Sequence, residues 1–141
     1  MSTAIRVTRG LVGITGLIQL VLGVLFWTGH AMALVPFHMI LGVFFVLALW
    51  TLGVLAARAG APAGLVTTTL LWGAILPALG MTQMQLLPGP GHWIIRVAHL
   101  LTGMVAMGLA GALFTRVRAK EHGRGPDDGQ QVLARVPARE R

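Results

Sequence analysis

His38 and His99 each stand inside a long apolar run, and each is followed four residues later by a glycine, Gly42 and Gly103. Imidazole is the commonest metal-ligating side chain and also a proton carrier near neutral pH. An ionisable group in hydrocarbon is costly, so it marks a functional site by default. Two at matching positions point to one site built by two helices. Within the same runs, Arg96 adds the one further charge. The chain has no cysteine, which removes disulfides, thiolate metal sites and iron–sulfur clusters.

The elements that must position these residues follow from composition. The 141 residues are 55% apolar, and mean hydropathy is +0.78. That is far above a soluble domain of this size. Four spans meet the requirement of roughly 20 apolar residues for ~30 Å of hydrocarbon. They run over about 10–28, 33–57, 63–86 and 91–115. Residues 58–62 separate the second and third spans, and Pro88-Gly89-Pro90-Gly91 separates the third and fourth. Pro36 falls in a first turn, where its missing N–H costs little, and Pro77 should kink the third span. The first run has no small-residue cleavage site and is read as a retained helix. The expected fold is all-α: an integral membrane four-helix bundle over 1–118, with a basic polar tail over 119–141. The tail mixes Gly, Pro and charge, a composition that predicts disorder.

Charge gives the topology. The net charge is +7, yet all four acidic residues lie in the last 21 positions, so it is no nucleic-acid signature. Arg6, Arg9, Arg58 and the basic tail fall on one side, whereas loops 29–32 and 87–91 carry no Lys or Arg. The positive-inside rule then puts both termini in the cytoplasm. The expected location is a bacterial-type plasma membrane, multi-pass. His30, His38, His92, Arg96 and His99 all lie toward the outer face, with Trp27 and Trp93 as interfacial aromatics. At ~1.5 Å per residue, His38 and His99 sit roughly 7–12 Å below the outer end of their spans. Spans two and four run in the same direction, so the two imidazoles can meet.

Glycine adds a second layer. Gly16 and Gly23 are seven apart on span one, as are Gly73 and Gly80 on span three. Two turns separate the members of each pair, so each pair shares a face. Small residues let a neighbour approach closely, whether another helix or a flat cofactor. The chain reads as two hairpins in a weak internal repeat, each a glycine-faced helix followed by a histidine helix.

This arrangement resembles the haem-carrying four-helix bundle of the cytochrome b family. The resemblance covers all four spans and rests on pattern. It implies one b-type haem with His38 and His99 as axial ligands, and Gly16, Gly23, Gly73 and Gly80 as positions that clear the ring. Larger cytochromes b carry a second histidine some thirteen or fourteen residues deeper on each ligand helix. Those positions here hold Thr51 or Leu52 and Ala112 or Leu113, so a second haem is not expected. Arg96 lies one turn from His99 on the same face and suits a haem propionate, with His92 and His30 for the other. Each ligand imidazole wants a partner for its second N–H; Thr28, Thr82, Gln83 or a backbone carbonyl are the choices. The implied role is one-electron transfer with a quinone or a periplasmic redox partner, rather than turnover of a substrate of its own.

Other readings stand beside this one. Either histidine alone could simply hydrogen-bond a neighbouring helix, Arg96 could snorkel, and the glycines could serve helix packing. His30, Met32, Met39, Met81, Met84 and His92 offer thioether and imidazole ligands suited to copper at the outer face. A cofactor-free accessory subunit of a larger membrane complex, or a homodimer, is a third class. A proton- or cation-coupled transporter is disfavoured, because no carboxylate lies within a span. No Ser-His-Asp set or paired carboxylates support hydrolysis.

Overall fold

The computed structural model describes residues 2–123, the His122 side chain excepted. Among the described residues the chain is helical throughout, with no strand. Four helices alternate up and down: α1 (Thr3–Trp27), α2 (Val35–Arg58), α3 (Ala63–Thr82) and α4 (His92–His122). All four are long and apolar enough to cross a membrane. Each packs on its chain neighbours, α1 closes the ring against α4, and α2 meets α4 across the diagonal.

The helix ends explain the boundaries. α1 begins seven residues before the expected span, because Ser2 Oγ caps it by accepting the Ile5 N–H at 3.4 Å. Arg6 and Arg9 therefore lie within a helix rather than before it. The Arg9 guanidinium sits 4.4 Å from the centre of the Phe114 ring, a cation–π contact. The first loop turns through Gly29 and Ala31, both at positive φ, and a short 3₁₀ turn leads into α2. Pro36 occupies the first turn of α2, and Pro77 lies within α3 without ending it. α4 continues to His122, past the expected boundary at 118. The rest of the expected disordered tail lies outside the described residues.

One side-chain bond to a backbone carbonyl ties each consecutive pair of helices. Gln19 Nε2 donates to His38 O, Trp50 Nε1 to Leu70 O, and Trp72 Nε1 to Thr102 O, each at 2.9 Å. Glycine makes two of them possible. A Cβ on Gly42 would lie 2.8 Å from Gln19 Nε2, and one on Gly73 would lie 2.5 Å from Trp50 Nε1.

The core fills the half of the bundle around the start of α1, the end of α2 and the end of α4. Leu49, Leu52 and Leu113 are completely buried there, with Val12 and Val117 beside them.

Candidate functional site

The other half of the bundle is hollow. A cavity of about 560 Å³ opens among all four helices, above a floor that includes Phe45, Val46 and Met107. Such a volume lies within the range of small-molecule and cofactor sites, about 300–1,000 Å³. α2 contributes His38 to its wall and α4 contributes His99. Both side chains are half-buried. Their ring centres are 6.5 Å apart, with the planes at 60°. One metal ion bound by both imidazoles needs about 6.4 Å, from two metal–nitrogen bonds of ~2.0–2.1 Å and ~1.2 Å from each nitrogen to its ring centre. The centre-to-centre distance equals what such a pair needs when one nitrogen of each ring faces the other.

The surroundings orient the imidazoles. Phe26 meets His38 edge to face, ring centres 5.3 Å apart. His99 lies against the α3 backbone at Gly80, where a Cβ would come 3.0 Å from His99 Cε1. Gly23 lines the cavity from α1, and a Cβ there would meet nothing within 4 Å. Gly16 also lines it, low down, where Met107 Sδ would lie 2.6 Å from a Cβ and Phe45 Cε2 2.9 Å. Gly16 is therefore filled by side chains of the floor. Gly73 is not on the cavity wall: its notch holds the Trp50 indole.

At the mouth stand Arg96 and His92. Arg96 is exposed, and His92 Nδ1 lies 3.3 Å from Leu86 O. His30 is elsewhere: its Nδ1 pairs with Thr28 Oγ1 at 3.0 Å, and it does not line the cavity. Met32, Met39, Met81 and Met84 line the mouth with His92, but without His30. Among the described residues, no three His, Cys, Asp or Glu gather closely enough to hold a metal ion.

The second ring nitrogens are a departure from expectation. His38 Nδ1 and His99 Nδ1 are buried with no hydrogen-bond partner. Thr28 and Thr82 are committed to carbonyls of their own helix, Val24 O and Leu25 O for the first and Ala78 O for the second. Gln83 lines the cavity but bonds neither ring. A residue outside the expected set stands close to His38 instead. Gln19 lines the cavity and holds the His38 carbonyl. Its signal was present in the sequence: an amide within an apolar run, on the same helix face as Gly16 and Gly23.

No family model, curated protein or solved structure matches this chain.

Proposed function

We propose that this chain is a small membrane b-type cytochrome, holding one haem between His38 and His99. The observation that carries the reading is the histidine pair, ring centres 6.5 Å apart on the wall of a 560 Å³ cavity, with no third His, Cys, Asp or Glu close enough to form a metal-holding group with them among the described residues. The resemblance to the cytochrome b family is part of this proposal. Bound there, haem supplies a one-electron couple whose potential is set by its axial ligands and its burial.

The chain's own residues divide the remaining tasks. Gly23 and Gly80 keep side chains out of the ring's path, and Phe45, Val46 and Met107 bar the way to the packed half. Arg96 and His92 stand where propionates reach the mouth, Arg96 as a cation and His92 as a hydrogen-bond partner. Leu52 and Leu113 fill the place of a second haem, so electrons enter and leave on one side. That side is the outer one if Arg6, Arg9, Arg58 and Arg116 mark the cytoplasm. The partner is then a quinone in the outer leaflet or a periplasmic redox protein, and the membrane is a bacterial-type plasma membrane.

The experiment is a reduced-minus-oxidised spectrum of the purified full-length protein. Sharp Soret and alpha bands of low-spin haem are expected, with about one haem per chain by pyridine haemochrome. A colourless protein ends the reading. The methionines around the mouth favour a second reading, copper held by thioethers and His92. Metal analysis of the same sample separates the two.

A further inference from the structure

The end of the bundle away from the cavity carries most of the charge. Arg6, Arg9, Arg58, Arg116, Arg118 and Lys120 are all exposed there, against Glu121 as the one acid among the described residues. Two of these cations have fixed contacts across helices. Lys120 Nζ donates to Gly60 O at 3.1 Å, which ties α4 to the loop between α2 and α3. The Arg9 guanidinium lies over the Phe114 ring, 4.4 Å from its centre, which joins α1 to α4.

A second contact sets the register of that α1–α4 seam. A Cβ on Gly16 would lie against Met107, seven residues deeper than Arg9 and Phe114 on both helices. The two helices therefore run antiparallel in step. Continued outward, the register puts Glu121 level with Ser2, about 10 Å along the axis from Arg9. Arg9 makes no hydrogen bond or ion pair among the described residues. Its depth makes that costly. At ~1.5 Å per residue, Arg9 lies ~27 Å along α1 from Trp27, and Arg6 ~32 Å. Hydrocarbon is ~30 Å thick. With the Trp27 indole at one interface, the two arginines bracket the opposite boundary. A cation at that depth needs an anion, and an aromatic ring offsets only part of the cost. One turn deeper, on the faces of Arg9 and Phe114, Gly13 and Gly111 leave open space where a Cβ would stand.

We propose that the α1–α4 seam at this end binds an anionic phospholipid. Its phosphate meets Arg9 and Arg6, and one acyl chain runs over Gly13 and Gly111. Phe114 holds the Arg9 guanidinium at the height of the phosphate. Unlike an ammonium, a guanidinium rests on a ring and still presents a fork of N–H donors to phosphate. A zwitterionic lipid brings its own cation to the same place, so the excess of positive charge selects the anionic one. Such a site needs neither haem nor a particular leaflet.

The test is native mass spectrometry of the full chain in mild detergent, titrated with phosphatidylglycerol or phosphatidylcholine. Each cation near an anionic surface is worth roughly fivefold in affinity, so one phosphatidylglycerol should bind roughly 20-fold more tightly than phosphatidylcholine. Arg9→Gln should cut this preference about fivefold, and Arg58→Gln, an equal loss of charge off the seam, less than about twofold. Arg9→Lys keeps the charge and should keep most of the preference. Should Arg9→Gln fail to fold, Arg6→Gln takes its place with the same expected loss. Equal affinity for the two lipids, or an equal loss in Arg58→Gln, overturns the proposal. Displacement of the lipid by inorganic phosphate also overturns it, since the seam is then a site for a free anion. So does a preference seen only when Asp127→Asn and Asp128→Asn are combined, which makes the chain's own acidic residues the occupant.

Discussion

The two halves of the bundle use the same four helices and differ in what occupies the centre. Toward the start of α1 and the end of α4, Leu49, Leu52 and Leu113 meet with 0% exposure and Val12 and Val117 with 1%. Toward the other end, imidazoles and glycines replace them around a cavity of about 560 Å³. Lipid tails are as apolar as leucine, so burial in a membrane adds little by transfer alone. Association of these helices must come from close contact and from interhelical hydrogen bonds. The packed half supplies the contact, and the hollow half keeps the space that a site needs. Close packing and open space are thus segregated by depth along the same helices.

The sharpest way to break this comparison is at the ligands. His38→Ala or His99→Ala should each abolish the low-spin haem spectrum while the bundle stays inserted. His30→Ala, off the cavity wall, should leave the spectrum intact. A wild-type spectrum in both ligand variants would move the site elsewhere and leave the hollow half without a role.

Crossed substitutions probe the halves next. Gly23→Leu puts a branched side chain into the open cavity and Gly80→Leu drives one against the His99 ring, so each should cut haem occupancy severely, the first with little loss of bundle stability. Leu113→Ala in the packed half should do the reverse. Buried Leu→Ala changes cost ~2–5 kcal/mol in soluble cores. Here the cost should fall near ~2 kcal/mol, because the transfer part of that penalty largely vanishes when the reference is lipid. Haem stoichiometry and an unfolding titration in mild detergent, run on both sets, would detect any mixing of the two roles. Gly108→Leu serves as the control, since a Cβ there meets nothing within 4 Å and Gly108 does not line the cavity.

Arg96 tests the mouth with a smaller effect. Ferric haem carries one more positive charge than ferrous, so a nearby cation disfavours the ferric form and raises the reduction potential. Arg96→Gln should therefore lower the midpoint. Charges several Å apart at an effective dielectric near 20 interact by on the order of 1 kcal/mol. Solvent screening of an exposed side chain reduces this, leaving roughly 20–40 mV for one electron, against ~59 mV per tenfold step. A redox titration of both proteins at one salt and pH measures it. An unchanged or raised midpoint would assign Arg96 to lipid headgroups.

The smallest effect belongs to the packed half. Trp50→Phe removes one interhelical hydrogen bond, to Leu70 O. Such bonds average ~0.6 kcal/mol in membranes, so the unfolding titration should shift slightly and the haem spectrum not at all. A spectral change would mean that the halves are coupled through α2.

Much of the fold was legible without coordinates. Four spans, their loops and the matched depth of His38 and His99 follow from run length and punctuation. The exact helix ends did not, because Ser2 caps α1 beyond the apolar run and α4 continues through basic residues that hydropathy excludes. The site was legible in part. His38, His99, Gly16, Gly23, Gly80, His92 and Arg96 line one cavity, and the sequence put His38, His99, Gly23 and Gly80 at a common depth. Gly73 and His30 do not line it, and Gln19 joins from outside the expected set. The glycine heptads looked alike in sequence, yet Gly23 faces open space, Gly16 faces Met107 and Phe45, and Gly73 holds Trp50.

The sequence by itself determined how many helices there are, which ends carry charge, which side chains are able to ligate, and that no thiolate is available to do so. Tertiary structure alone decided which face of each helix turns inward and what fills each glycine notch. The physical reason is the solvent. In water, one polar face tells a helix which side to bury. In lipid the outside is as apolar as the core, so a run such as 39–57 has no inward stripe to read. Helix rotation is then set by shape and by a few polar contacts between helices. Those depend on the register of the neighbour, as with Gln19 over Gly42 and Trp50 over Gly73.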